Sequence, residues 1–121
     1  MSLLWTLVFL LLAVQPACAA DTSEPQPLPQ TLVKGETLFN QNCARCHGAG
    51  GQGTSQGPPL VHKIYEPNHH ADVAFYRAAE MGVRAHHWDF GDMPTVPGVT
   101  KEDLTEIIAY IRWLQKQAGI F

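Results

Sequence analysis

Two cysteines and a histidine in the segment "CARCHG" are the residues of this sequence with the clearest chemistry. Cys43 and Cys46 are three positions apart, and His47 directly follows the second cysteine. On a helical turn, positions i, i+3 and i+4 share one face. The two thiols and the imidazole can therefore act on one bound group, which could be a metal ion, a disulfide partner or a haem.

Two of these three interpretations find little support in the rest of the sequence. A structural zinc site takes four ligands, usually from two separated pairs, and the sequence has no second cysteine pair, although distant histidines could complete a site. A thioredoxin-like dithiol belongs to a strand and helix unit, whereas this pair ends a predicted helix. Covalent haem attachment uses this same spacing, with Cys43 and Cys46 as thioether anchors and His47 as the proximal iron ligand. We therefore expect one haem c.

The elements that must position this motif are predicted to be helices and a glycine-rich loop. Apolar and small residues at helical spacing predict a first helix over residues 32–42, which ends at Cys43. The segment 48–57 contains five glycines and is predicted to be a loop. A second helix is predicted over residues 71–81, with Gly82 as its C-cap.

The last predicted helix spans residues 101–116 and has the clearest sequence pattern. Thr100 is the expected N-cap, and Asp103 stands three residues later in the position of a capping box. An apolar face follows at 3, 4 and 3 spacing, formed by Leu104, Ile107, Ile108, Ile111 and Leu114. No segment shows sustained alternation, so strands are not expected and the fold class is all-α.

Composition limits the class of protein. The chain has 121 residues, of which 45% are hydrophobic and 16% charged, and its formal net charge is −3. These values are typical of one small soluble domain. They argue against a disordered chain, a membrane-spanning protein and a basic nucleic-acid binder.

The N-terminal segment has the features of a secretory signal peptide. Residues 3–14 form a nearly unbroken apolar run of twelve, shorter than the ~20 residues that span a bilayer. Ala17, Cys18 and Ala19 supply a small-residue cleavage pattern, although no Lys or Arg precedes the run. We predict a signal peptide over residues 1–20, a proline-rich linker over 21–30, a domain over 31–121, and a periplasmic location. Acylation of Cys18 as a lipoprotein anchor is disfavoured because the residues before it lack the usual Leu.

From about residue 34 to residue 117 the chain resembles the class I cytochromes c. In that family a glycine and an aromatic residue on the N-terminal helix cross an aromatic residue on the C-terminal helix, and Gly35, Phe39 and Tyr110 stand in those positions. The resemblance implies three to five helices around one covalently attached haem, with the first and last helices crossing.

The resemblance also implies the surroundings of the iron. Gly57 and Pro58 resemble the family loop whose proline carbonyl accepts the second N–H of the proximal histidine. Met93, next to Pro94, resembles the distal methionine ligand, and a proline-bounded loop can aim its thioether at iron. The competing sixth ligand is His86 or His87. Met81 is expected to pack in the core.

The segment between residues 62 and 87 departs from the generic family because it contains five histidines. One interpretation is that they face solvent or contact haem propionates. The alternative is a second metal site, such as copper, or a pH-sensitive docking face. One of Arg84, Trp88 or Tyr65 is a candidate propionate donor, and Tyr76, Trp88 and Phe90 are expected in the haem pocket or core. The histidines are His62, His69, His70, His86 and His87.

These features predict a periplasmic electron-transfer protein with His/Met ligation rather than an enzyme. Its negative charge should steer it toward basic patches on a redox-protein donor and acceptor, with no nucleic-acid partner and no membrane span in the mature chain. It is expected to be a monomer or a subunit of a redox complex. The alternatives are a haem enzyme, a gas-responsive or metal-responsive protein, and a fixed relay subunit of a larger oxidoreductase.

Overall fold

The computed structural model describes residues 25–121. The predicted signal peptide, Cys18 and the first part of the predicted linker lie outside the described residues, so the predicted domain boundaries remain predictions.

Four α-helices and three short 3₁₀ turns make up the regular structure of residues 25–121. The helices are α1 (Val33–Asn42), α2 (Ala44–His47), α3 (Asp72–Met81) and α4 (Lys101–Gln117). The 3₁₀ turns are Gln30–Leu32, Ala49–Gly51 and Lys63–Tyr65. In this part of the chain the β-pairing is one isolated bridge between Val83 and Met93. The predicted all-α class is therefore confirmed, and the three longer helices lie within about one residue of their predicted bounds.

Helices α1 and α4 cross at Gly35. A Cβ atom at this position would overlap the carbonyl oxygen of Glu106 and would lie 3.1 Å from Cβ of Tyr110. One turn further along α1, the Phe39 ring is fully buried and meets the Tyr110 ring at a centroid distance of 5.6 Å. The absence of a side chain at Gly35 thus lets the two backbones approach closely, as the resemblance implies.

The start of α4 and the end of α3 are set by local interactions. Thr100 accepts a hydrogen bond from the Asp103 N–H, and the Asp103 carboxylate accepts one from the Thr100 N–H, so the predicted capping box is present. Gly82 ends α3 with φ +75°, a conformation that favours glycine.

The packed part of the chain extends further toward the N-terminus than residue 31. Leu28, within the predicted linker, is partly buried against the core cluster around Phe39 and Ile107. The prolines beside it hold the backbone extended, so this one apolar side chain can reach the surface of the helices. Within residues 25–121, no helix combines the length and hydropathy needed to cross a bilayer.

Candidate functional site

The two cysteines and the adjacent histidine lie on one helical turn after a break in the chain. Cys43 caps α1, its N–H donating to the Phe39 carbonyl at 2.8 Å, and its φ of −122° departs from helical geometry. The short helix α2 then begins, and the His47 N–H donates to the Cys43 carbonyl at 3.0 Å. The break turns the motif away from the axis of α1 while it keeps the i, i+3 and i+4 positions on one turn.

The orientation of the His47 ring is fixed by the backbone of the following loop. His47 is only 8% exposed, and its Nδ1–H donates to the Pro58 carbonyl at 2.9 Å. Because a carbonyl can only accept, Nδ1 carries the proton and Nε2 holds the lone pair. Burial lowers the pKa of His47, and the bond to Pro58 opposes this effect in part. The result is a neutral imidazole with a defined tautomer, which is the form that binds a metal.

The glycine-rich loop encloses the same turn. The Thr54 hydroxyl donates to the Cys46 carbonyl at 2.6 Å, and the Gly53 N–H donates to the His47 carbonyl at 2.6 Å. At Gly57 a Cβ atom would lie 2.8 Å from the Cys46 carbonyl oxygen. The loop thus satisfies the last carbonyls of α2, and the lack of a side chain at Gly57 lets Pro58 reach His47.

Both thiols of the motif are free in the structure. Burial, and then repulsion from Cys46, raises the pKa of the Cys43 thiol to about 11. Catalytic redox dithiols instead hold a thiol with a depressed pKa in an electropositive environment. This difference argues against disulfide exchange as the function of the pair.

A cavity of about 1020 Å³ opens beside the motif. Cys43, Cys46 and His47 form part of its wall, and Met93 lies in the wall contributed by the loop before α4. This volume is at the upper end of the ~300–1,000 Å³ that is usual for ligand and cofactor pockets. Apolar side chains complete much of the lining, among them Leu60, Phe75, Ile107, Ile108 and Ile111.

Sequence comparison shows the family of the chain. The profile of the cytochrome c family, described as "Cytochrome c", matches residues 32–115. The chain belongs to the cytochrome c family.

Several curated proteins are similar to parts of the chain. CcoP, a cbb3-type cytochrome c oxidase subunit of Azospirillum sp. (strain B510), is 31% identical over 100 residues, which cover 73% of this chain and 32% of that protein. The chloroplastic cytochrome c6 of Arabidopsis thaliana is 42% identical over 64 residues, covering 51% of this chain and 34% of that protein. The oxidase subunit FixP of Bradyrhizobium sp. (strain ORS 278) is 43% identical over 49 residues, or 40% of this chain and 17% of that protein. The chain therefore spans about one third of the length of the first of these relatives. No solved structure matches it significantly.

Membership of this family implies one covalently bound haem c, and the residues present fit such a group. The wall of the cavity combines two free thiols, a neutral buried imidazole and a thioether with apolar side chains. Thiols can form thioethers with the haem vinyl groups, and imidazole with thioether is a donor pair that cytochromes c use for iron.

The loop that carries Met93 is tied to the end of α3. Met93 and Val83 exchange two backbone hydrogen bonds, of 2.8 and 2.9 Å, and the Val96 N–H donates to the Ala79 carbonyl at 2.8 Å. A Cβ atom at Gly82 would lie 2.6 Å from the Met93 carbonyl oxygen, so the glycine permits this approach. These contacts hold Met93 in the cavity wall.

The prediction for Met81 was wrong. Met81 is the last residue of α3 and its side chain is 65% exposed. Ala79, two positions earlier, is buried against the rest of the protein. Because two helical positions differ by about 200° around the axis, Met81 points away from the core side that Ala79 occupies. It borders the cavity instead.

The predicted aromatic residues divide between two environments. Trp88 and Phe90 line the cavity, with Phe90 41% exposed. Tyr76 does not line it; its hydroxyl hydrogen-bonds Thr105 of α4 at 2.8 Å, and its side chain is half-buried. The three candidate propionate donors, Arg84, Trp88 and Tyr65, all line the cavity.

The histidine-rich segment brings four of its five imidazoles together at the mouth of the cavity. His69, His70, His86 and His87 all border the cavity, and neighbouring ring centroids within this group lie between 4.2 and 6.0 Å apart. His62 lies apart from this group, packed edge-on against Trp88, with Nδ1 accepting from the Ile64 N–H.

Sequence reasoning missed the two polar residues of α4 that hold this segment in place. Arg112 donates to the carbonyls of Tyr65 and His70, both at 2.6 Å, and pairs with Asp72 at 2.8 Å. Gln115 is fully buried and donates to the Leu60 carbonyl at 2.8 Å. The one available signal was a pair of polar residues, three positions apart, close to the apolar face of α4.

Proposed function

We propose that the protein carries single electrons on one haem c whose iron is ligated by His47 and Met93. Cys43 and Cys46 anchor the haem through thioethers. The observation that carries the proposal is that one cavity is lined by the free thiols, by an imidazole of fixed tautomer and by a methionine tied down through its backbone. These residues supply every protein bond that a His/Met haem c requires.

Haem iron supplies a one-electron couple between the ferrous and ferric states, and a thioether ligand raises its reduction potential. The residues of the chain adapt the site to that chemistry. The Pro58 carbonyl keeps the proton of His47 on Nδ1 and so presents Nε2 as the ligand atom. The backbone bonds between Met93 and Val83 limit the movement of the loop. With His47 and Met93 both bound to the iron, no iron position would be open for a substrate, which favours a carrier over an enzyme.

Tyr65 is proposed to bind a propionate, with Trp88 positioning its hydroxyl group. The Trp88 indole N–H donates to the Tyr65 hydroxyl at 3.2 Å, which leaves the hydroxyl proton of Tyr65 free to donate to a carboxylate. Burial raises the pKa of Tyr65, and the bond from Trp88 opposes this effect, so the hydroxyl remains protonated at neutral pH.

The proposed partners are a donor and an acceptor protein with basic docking patches, because the net charge of the chain is −3. The periplasm is the proposed location, on the basis of the signal sequence. A fixed relay subunit is the second candidate, since relatives are named as oxidase subunits. Stable co-purification with a larger oxidoreductase would favour the relay, and isolation as a monomer would favour a diffusing carrier.

The Met93→Ala substitution tests the ligand assignment. We expect the haem-loaded ferric protein to show the weak near-infrared absorption of a sulfur–iron bond, and the variant to lose it. The reduced variant should bind carbon monoxide readily, whereas the wild type resists it, because removal of the thioether opens one iron position.

Met81→Ala is the matched control, since Met81 borders the same cavity but is exposed. This control should retain the near-infrared absorption. Absence of the band from the wild-type protein, or its loss in Met81→Ala alone, would contradict ligation by Met93.

A further inference from the structure

Three histidines at the mouth of the cavity place their ring nitrogens around a common point. One ring nitrogen from each of His69, His70 and His87 lies within 4.8 Å of the others. We call these residues the histidine triad. His86 lies beside them, its ring centroid 4.2 Å from that of His87. None of these side chains is among the haem ligands proposed above.

We propose that the histidine triad binds a late divalent transition-metal ion, with Cu²⁺ preferred over Zn²⁺. This site uses none of the proposed iron ligands and does not depend on the proposed electron-carrier function.

The distance between two of the nitrogens matches that of ligands to one ion. Nε2 of His69 and Nε2 of His87 are 3.4 Å apart. Two nitrogens at ~2.0–2.1 Å from one metal ion are separated by about 2.8–3.0 Å in a square-planar site and by about 3.3–3.4 Å in a tetrahedral one, so the observed spacing is within ~0.6 Å of both. The triad therefore needs only a small movement of its third member to close around an ion.

The hydrogen bond that His70 makes to the backbone favours a cation over an anion as the ligand. Its Nδ1–H donates to the Ile64 carbonyl at 2.6 Å, so in the neutral ring Nε2 holds a lone pair and cannot donate. Carboxylates and phosphates need donors, whereas metal ions need lone pairs. A carbonyl that accepts from the second ring nitrogen is also the usual support of a metal-binding histidine.

The triad is held in place by the backbone before any ion binds. Arg112 donates to the His70 carbonyl at 2.6 Å, and the N–H groups of His69 and His70 both donate to the Glu66 carbonyl. On the other side, the bridge between Val83 and Met93 closes the base of the loop that carries His87. A preorganised site loses less conformational entropy when the ion binds.

All three donor atoms of the triad are imidazole nitrogens. Neutral imidazole is the form that binds a metal. Imidazole ligands suit Cu²⁺ and Zn²⁺, and affinities for divalent ions generally increase to Cu²⁺ and fall again at Zn²⁺.

The test is a calorimetric titration of the ferric, haem-loaded protein, purified without a histidine tag, with cupric chloride and separately with zinc chloride. We expect one cupric ion per chain with submicromolar affinity, and weaker binding of zinc. In the double variant His69→Gln/His87→Gln, cupric affinity should fall at least ~100-fold, because loss of a single supporting outer-shell group already costs about 10–100-fold. X-ray absorption at the copper edge should show imidazole scattering in the wild type.

His62→Gln is the matched control, because it removes one histidine that lies outside the triad. It should bind Cu²⁺ with wild-type affinity, and far-UV circular dichroism should show that all variants are folded. Binding no tighter than micromolar, or equal affinity in the double variant and the wild type, would overturn the site. Tighter binding of zinc than of copper would overturn the preference for Cu²⁺.

Discussion

At the scale of single residues, Arg112 links α4 to the loop before α3 by hydrogen bonds that no sequence motif predicts. Its side chain is only 11% exposed, and its guanidinium contacts two backbone carbonyls, the Gln115 side-chain oxygen and the Asp72 carboxylate. It also lies over the Phe75 ring at 4.9 Å. One side chain of α4 thus fixes the loop that supplies Tyr65 and His70 to the cavity wall.

Replacement of Arg112 by Met should destabilise the protein because the His70 carbonyl and the Gln115 side-chain oxygen lose their donor. The Tyr65 carbonyl keeps a hydrogen bond from Gln115 Nε2 at 3.1 Å. A buried acceptor without a partner costs about 1–3 kcal/mol, so we expect the free energy of unfolding to fall by about 2–4 kcal/mol in total. Guanidinium-induced unfolding of the haem-loaded variant, followed by circular dichroism, measures this loss.

Asp72→Asn separates the ion pair from the carbonyl contacts. The Asp72 side chain is 61% exposed, so the loss of its charge should cost no more than ~1 kcal/mol. Equal losses in the two variants would show that the ion pair, rather than the carbonyl contacts, stabilises the loop.

The roles of residues in a short sequence motif could be predicted from the sequence. The roles of residues that contact distant parts of the chain could not. Cys43, Cys46 and His47 are neighbours in sequence, so their common face follows from helix geometry alone. Arg112 meets the Tyr65 carbonyl across 47 positions, and that contact depends on where a loop folds back. An arginine on a helix is usually exposed, so its residue type gave no signal.

At the scale of elements, the crossing of α1 and α4 determines where the cysteine motif begins. The crossing point at Gly35 lies two turns before Cys43, and Phe39 between them packs on Tyr110. Any separation of the two helices at Gly35 would therefore move the N-terminal wall of the cavity.

Gly35→Ala should lower stability even though alanine favours helices. Better helix propensity contributes up to ~1 kcal/mol, whereas the new methyl group overlaps the Glu106 carbonyl and forces the backbones apart. Overpacking of this kind typically costs about 1–3 kcal/mol, and we expect the net free energy of unfolding to fall within that range. Chemical denaturation of the haem-loaded protein provides the measurement.

Asn40→Ala also improves helix propensity, by up to ~0.7 kcal/mol, on the exposed side of α1. It should be neutral or slightly stabilising. If Gly35→Ala were as stable as Asn40→Ala, close approach at the crossing would not be what glycine provides there.

Helix features that depend on neighbouring residues were predicted correctly, whereas one that depends on tertiary packing was not. The start of α4 was predicted correctly because its capping box is complete within four residues. The side on which Met81 lies was predicted wrongly, because apolar composition near the end of a helix does not fix which residues face the core. That outcome depends on the turn at Gly82, which redirects the chain immediately afterwards.

At the scale of the whole molecule, the interior is divided between a small core and a large cavity. Within residues 25–121 the buried core cluster consists of five residues, whereas the cavity beside it has a volume of about 1020 Å³. Small domains bury a limited share of their surface, so an apolar cofactor in this space would add contacts that the chain does not provide by itself. Neither the volume nor the grouping of four histidines at its mouth follows from local sequence. The histidines lie at positions 69–70 and 86–87, and the cavity wall is formed by residues between Asn42 and Ile111.

The central claim is that a haem is bonded to Cys43 and Cys46, and the mass of the denatured protein tests it most directly. The protein should be produced in a host with haem-ligation machinery and analysed by intact mass spectrometry, with Cys43→Ala/Cys46→Ala as the comparison. We predict the mass of the polypeptide plus one haem, and a pigment that stays with the protein in acidified organic solvent. The mass of the polypeptide alone, with a pigment that the solvent extracts, would contradict the account.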